Sequence, residues 1–221
     1  MKYKTNEQFS IRVGFDVKSA DVAEALGLTN GILADLPASL YRSLDFKTTS
    51  AVIGSIFCEA LANQTNGIVN PIEKGHPDII PASAKSASEA ELRNYPKGLE
   101  IKCTVGNIES GANLRAGQKR INRLVGITWQ AHHREVRELM GIVWDFAQER
   151  ENFNFPGITG VFYSSELLVE DWGQISGTTG RNTKVTGMTR SGKEKMGTGW
   201  IAILDSAEYI EATSKLLGSS L

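Results

Sequence analysis

The segment Lys97 to Val105, KGLEIKCTV, alternates with period two: Leu99, Ile101, Cys103 and Val105 fall on one side, Glu100, Lys102 and Thr104 on the other. Successive side chains of a strand point to opposite faces, so this pattern demands a strand with one side against a core. Similar apolar runs recur at Arg123 to His132 (RLVGITWQAH), Leu139 to Phe146 (LMGIVWDF), Ile158 to Tyr163 and Trp200 to Leu204. A short extended segment, DII, lies between Pro77 and Pro81. The middle of the chain is therefore predicted to form a sheet.

Helix signals lie before and after these strands. Ser19 can cap a helix through Leu26, with Gly27 ending it, and a second helical stretch runs over Ile32 to Leu44, interrupted at Pro37. Thr48 to Ser50 offer caps for a third helix, closed by Asn66-Gly67. His133 to Glu138 is charged and suits a turn or short helix; Ser206 to Leu217 suits a terminal helix. Gly173 to Gly199 is rich in glycine, which suggests hairpins and loops, with Ser191-Gly192 as a hairpin tip. The expected fold is α/β: a central mixed β-sheet flanked by helices, in one domain of 221 residues.

Composition narrows the function classes. No apolar run approaches the roughly 18 residues of a membrane helix, and MKYKTNEQFS has a basic start but no apolar core behind it, so no signal peptide is expected. Cys58 and Cys103 are lone thiols, which fits a cytoplasmic protein, and no Cys/His cluster suggests zinc. A net charge of −1 argues against a protein that coats nucleic acid. Local charge differs: Lys102 to Arg123 and Arg181 to Lys195 are basic stretches, as a polyanion-binding cleft in a balanced surface would need.

Three features carry candidate chemistry. Asp78, in GHPDIIP, opens a short apolar strand; Glu100 and Lys102 form an ExK 22 residues later, two apart and so on one strand face. Glu59, in IGSIFCEALANQ, borders the apolar stripe of the third helix, where a carboxylate needs a partner. Phosphodiester hydrolysis requires an activated water, a stabilised phosphorane and an assisted leaving group. Mg²⁺ prefers hard oxygen ligands and often takes only one or two carboxylates. Asp78 and Glu100 would hold such an ion, with Glu59 available to a second; Lys102 would orient and help deprotonate the attacking water and offset phosphate charge.

At GHPDIIP, LEIKCT and the Glu59 helix, the chain resembles the PD-(D/E)xK restriction endonucleases. The resemblance matches Asp78 to the family's first acid, Glu100 to its second, Lys102 to its lysine and Glu59 to the acid some members carry on the preceding helix. It covers about residues 48–146, the common core. It implies a restriction-endonuclease-like core; outside that core the residues themselves suggest a helical part at about 1–66 and a loop-rich, DNA-contacting part at about 147–221. It further implies a Mg²⁺-dependent Type II enzyme that cuts double-stranded DNA as a homodimer, beside a cognate DNA methyltransferase in a prokaryotic cytoplasm. Two other readings stand beside it: a structure-specific or repair nuclease of the same superfamily, and a non-catalytic DNA-binding or protein-interaction module.

Two polar, basic stretches are candidate DNA contacts. The first follows the ExK strand and offers Asn107, Asn113, Arg115, Gln118, Lys119, Arg120, Asn122 and Arg123; the second offers Arg181, Asn182, Lys184, Arg190, Lys193 and Lys195. Arg suits guanine edges, Asn and Gln suit adenine, and Lys and Arg also bind phosphates. His132 and His133 are adjacent, so on a strand they cannot ligate one ion; His76 suits either a supporting role beside Pro77-Asp78 or a surface turn. Trp129 and Trp144 read as core, whereas Trp172 and Trp200 either pack or stack on DNA.

Overall fold

The computed structural model describes residues 1–73, 75–109, 114–129, 136–174 and 186–218. The chain begins with three short strands, β1 (Tyr3–Thr5), β2 (Ser10–Arg12) and β3 (Asp16–Lys18), then helices α1 (Ser19–Asp35), α2 (Ala38–Ser43) and α3 (Phe46–Gln64). Next come β4 (Gly67–Val69), β5 (Ile79–Pro81), the one-turn α4 (Glu89–Leu92), β6 (Glu100–Thr104), β7 (Asn107–Ile108) and β8 (Leu124–Gly126). Two long strands, β9 (Leu139–Arg150) and β10 (Phe153–Ser164), are followed by α5 (Arg190–Thr198), β11 (Trp200–Leu204) and α6 (Ala207–Leu217).

A five-stranded sheet in the order β1-β11-β10-β9-β6 forms the centre. β9 and β10 form a long antiparallel hairpin, whereas β6 lies parallel to β9, so the sheet is mixed. The period of two explains its two buried faces. Met140, Ile142, Trp144 and Phe146 enter one core with α1 and α3, while Leu139 and Val143 enter a second with Met196 of α5 and Leu217 of α6. The protein is thus mixed α/β, with helices flanking a mixed sheet.

Tertiary packing moved several predicted boundaries. The α1 helix does not stop at Gly27. Val22, Leu26 and Leu33 continue one buried stripe through Gly27 and Gly31, outweighing the roughly 1 kcal/mol that glycine costs in a helix, and the helix ends just before Leu36-Pro37. The third helix starts earlier than its Thr and Ser residues suggest, because Asp45 is its cap and accepts the Thr48 N–H at 2.6 Å. Its Ile53, Phe57 and Leu61 are fully buried, and the Trp144 indole donates to the Ser50 hydroxyl at 2.8 Å, fastening α3 to β9. The strand expected over Arg123 to His132 is confined to β8 among the described residues, paired with β7.

The last third is more ordered than its glycines suggest. Ser191-Gly192 is no hairpin tip; both residues lie in the first turn of α5, capped by Thr189. Gly192 is there because a Cβ would lie 2.7 Å from the Asp171 carbonyl oxygen. The N-terminal third, read as helical throughout, also contributes β1 to the sheet edge, pairing with β11.

Gly98 decides how β5 meets β6. Its φ is +147° and a Cβ there would collide with the Ile79 carbonyl oxygen, while Ile79 and Leu99 exchange backbone hydrogen bonds of 3.1 and 2.8 Å. Gly98→Ala is expected to lower stability by about 2–4 kcal/mol, measured by urea unfolding. A loss below about 1 kcal/mol would show that the junction yields.

Candidate active site

Asp78 sits just before β5 in a segment fixed from both sides. The Asn70 N–H donates to the Asp78 carbonyl at 2.9 Å, and the Asn70 amide donates to the Pro77 and Leu92 carbonyls at 3.1 and 2.8 Å. On the other side, the His76 N–H bonds the Arg93 carbonyl and the Tyr95 N–H bonds the His76 carbonyl, at 3.1 and 2.7 Å. The β5–β6 pairing reaches only the Ile79–Leu99 bridge. Beyond it the Asp78 carboxylate replaces a strand partner and accepts the Ile101 N–H at 2.7 Å. Asn70 is a residue that sequence reasoning missed: its role depends on backbone carbonyls up to 22 residues away.

Glu100 and Lys102 share a face of β6, as the alternation predicts, and the Lys102 ammonium donates to the Glu100 carboxylate. Glu100 is only 5% exposed, and its second oxygen lies 3.2 Å from Nδ1 of His76. His76 therefore supports the acid pair and is not merely part of a surface turn. Asp78, Glu100 and Lys102 come together at the end of the β5–β6 junction.

The electrostatics follow from that crowding. Burial raises the Asp78 pKa and the Glu100 charge raises it further, only partly offset by Lys102 and the Ile101 N–H. Burial alone would lower the Lys102 pKa, but the Glu100 and Asp78 charges together outweigh it and the net shift is upward. Lys102 is thus held as an ammonium, suited to orienting a water and neutralising phosphate charge, and poorly suited to taking a proton. The help with deprotonation expected from the sequence is not supported in this state. Cys58 lies nearby, and burial, followed by the Asp78 charge, pushes its pKa up, so it stays a thiol.

Asp78, Lys102 and His76 line a cleft of about 690 Å³ with α3 on its other wall. Glu59 lines the same cleft but is exposed and accepts from the Asn63 amide at 3.3 Å. The partner that its border position called for is a hydrogen-bond donor, the Asn63 amide. Among the described residues no three His, Cys, Asp or Glu side chains cluster as a metal site. The donor set is two hard carboxylates, Asp78 and Glu100, near enough to raise the Asp78 pKa, with the Lys102 ammonium bonded to Glu100. That set fits Mg²⁺, which fills its remaining positions with water and phosphate oxygens.

The expected DNA contacts divide. Asn107 is exposed and lines the cleft. Arg115, Gln118, Lys119, Asn122 and Arg123 are exposed but off its walls, and Lys119 lies 3.8 Å from Glu208. Arg120 is corrected outright. It is 5% exposed, donates to the Gly106 carbonyl at 3.0 Å and lies over the Phe46 ring at 4.9 Å, so it is a core clamp. Lys195 is half-buried and engaged within the protein: it donates to Asp171 at 2.6 Å and to the Glu166 carbonyl at 2.8 Å. Arg190 pairs with Glu194 along α5, and Lys193 on the same helix is half-buried. Asn113, His132, His133, Arg181, Asn182 and Lys184 lie outside the described residues. Trp129, Trp144 and Trp172 are buried, which leaves Trp172 no face for stacking on DNA; half-buried Trp200 packs under Lys4. No helix among the described residues is long and apolar enough to cross a membrane.

No protein-family model, curated protein or solved structure matches the chain.

Proposed function

We propose that the chain is a Mg²⁺-dependent DNA endonuclease of the PD-(D/E)xK type, a Type II restriction enzyme built on a restriction-endonuclease-like core. The observation that carries this reading is the meeting of Asp78, Glu100 and Lys102 at one junction, with an acid pair whose mutual repulsion one lysine only partly offsets. Two carboxylates crowded in a buried place are costly, and such a cost beside a polar cleft supports a functional role.

In this reading Asp78 and Glu100 hold the ion through their carboxylate oxygens. When bound, Mg²⁺ supplies a lowered water pKa and charge neutralisation at the phosphorane. The Ile101 N–H fixes the Asp78 carboxylate, and His76 and Lys102 fix the two oxygens of Glu100. The Lys102 ammonium then faces the scissile phosphate as a donor, orienting the attacking water and offsetting the charge that develops on the non-bridging oxygens. Asn107, on the cleft wall, is placed to touch the sugar–phosphate backbone or a base edge. Double-stranded cleavage calls for two such sites, hence a homodimer on a palindrome, and a host needs a matching methyltransferase to protect its own DNA.

Purified protein should cut a sequenced plasmid into discrete fragments with Mg²⁺ and leave it intact in EDTA, and end-mapping should give one short sequence. Intact plasmid in Mg²⁺ would remove the nuclease reading. Cutting only of branched or mismatched duplexes would assign the site to a structure-specific nuclease.

A further inference from the structure

A second cleft, of about 900 Å³, backs onto the first: His76 lines both, and Glu100, which pairs with Lys102 of the first cleft, lines the second. Its walls carry four basic side chains from three segments that are far apart in sequence. Arg12 ends β2, Arg93 and Lys97 belong to the link from α4 to β6, and Arg137 precedes β9. All four are exposed. The acids lining the same cleft are Glu138 and Glu100, and Glu100 is already paired with Lys102. The arrangement is held by backbone. Gly14, at the β2–β3 turn with φ +101°, fits so closely that a Cβ there would lie 2.6 Å from Pro81 and 3.1 Å from the Lys97 side chain. That close fit brings Arg12 to the rim opposite the α4–β6 link.

Neither stretch read from the sequence as DNA-contacting contributes these residues. We infer that this cleft is the track for the phosphate backbone leading away from the scissile phosphate, with Arg12, Arg93, Lys97 and Arg137 as its phosphate contacts. The inference rests on the nuclease reading, because what places a polyanion here is the wall shared with the Asp78–Glu100–Lys102 site. A strand held at Lys102 presents one charge per about 3.4 Å of axis, so it must run on past His76, and the basic cleft lies on that path. Arg12 and Arg93 now bond to Asp16 and Glu89 in exposed i,i+4 pairs, which are worth little and are readily exchanged for phosphate.

The test is binding of a duplex of about 30 base pairs in EDTA, followed by fluorescence anisotropy across a salt series, together with Mg²⁺ cleavage by the wild type. The full-length variant Arg12→Ala/Lys97→Ala/Arg137→Ala should bind at least tenfold more weakly and lose about 2–3 from the slope of log K against log salt, since each phosphate contact contributes about 0.9. The control Lys2→Ala/Lys85→Ala/Lys215→Ala removes equal charge from exposed positions outside both clefts and should keep the wild-type slope. If wild type cleaves while the two variants bind alike, the track is overturned and the nuclease reading stands. If wild type neither binds nor cleaves, both fall. Melting curves for both variants check folding, which exposed side chains should not disturb.

Discussion

Asp78→Asn is expected to lower Mg²⁺-dependent cleavage about a thousandfold or more while raising the melting temperature. The amide keeps the shape of the side chain, so its oxygen can still accept the Ile101 N–H, and its NH₂ can donate toward Glu100. What it loses is the charge a cation needs, and several kcal/mol of transition-state stabilisation goes with it. What it gains is relief: in the wild type an ionised Asp78 is held in a buried place beside Glu100, which raises its pKa. Stability should increase on the order of 1 kcal/mol, a compensation typical of active-site charges, or about 3 °C for a chain of this size.

The sign of the pH dependence follows. A raised carboxyl pKa means that the folded protein binds this proton more tightly than the unfolded chain does. The wild type therefore gains stability from Asp78 as pH falls through its raised pKa toward the ordinary carboxylate range, and Asp78→Asn should lack that gain. Lys102→Ala should move the other way on stability while also losing cleavage, because it removes the cation that pairs with Glu100 and offsets the charge of Asp78. A loss of about 2 kcal/mol is expected, partly recovered by Mg²⁺. Urea unfolding in EDTA and in Mg²⁺, beside cleavage assays, reads both variants. An Asp78→Asn protein that cuts normally, or one clearly less stable than wild type, would mean that Asp78 is a structural ligand of Ile101 and nothing more.

Asp145→Ala should show the largest loss of stability, about 4 kcal/mol or roughly 10 °C in melting temperature. Asp145 is 1% exposed. Its carboxylate accepts the Arg120, Ile121 and Phe146 N–H groups at 2.7–3.1 Å and the Tyr209 hydroxyl at 3.1 Å. It thereby joins β9, the turn before β8 and helix α6 at one buried point. Alanine would strand three backbone donors and a phenol that no water reaches, and the cost of such stranding exceeds the worth of the bonds themselves. Burial raises the Asp145 pKa against the pull of those donors, and the bonds themselves make this carboxylate a structural hub. A melting temperature within 2–3 °C of wild type would show that water or a repacked α6 replaces it.

Some of this was written plainly in the chain. The alternation in LEIKCT placed Glu100 and Lys102 on one face and gave β6, because two-residue periodicity is local and a side chain cannot change faces without a register slip. Continuous apolar runs located β9, β10 and β11. Helix α3 was legible from its stripe, although its first turn belonged to Asp45.

Other features depended on groups distant in sequence. Asp145 is one polar residue inside the apolar run LMGIVWDF, and nothing nearby announced the Arg120 and Ile121 N–H groups that meet it from elsewhere in the chain. Arg120 looked like its exposed neighbours in AGQKRINR, yet only the packed position of Phe46 and the Gly106 carbonyl made it a core residue. Glycine-rich sequence suggested loops where the chain forms a helix capped by Thr189 and buried through Met196, since burial of an apolar face can outweigh weak local propensity.

The sequence by itself determined the strand periodicity, the spacing of the acids and lysine on it, and the α/β class, all of which follow from the chemistry of neighbouring residues. Only the tertiary structure decided that Asp78 reaches Ile101, that His76 braces Glu100, and that Arg12, Lys97 and Arg137 face one cleft. The physical reason is that burial, desolvation and close backbone approach at Gly14 and Gly98 are properties of segments brought together by folding, and no local pattern encodes the partner.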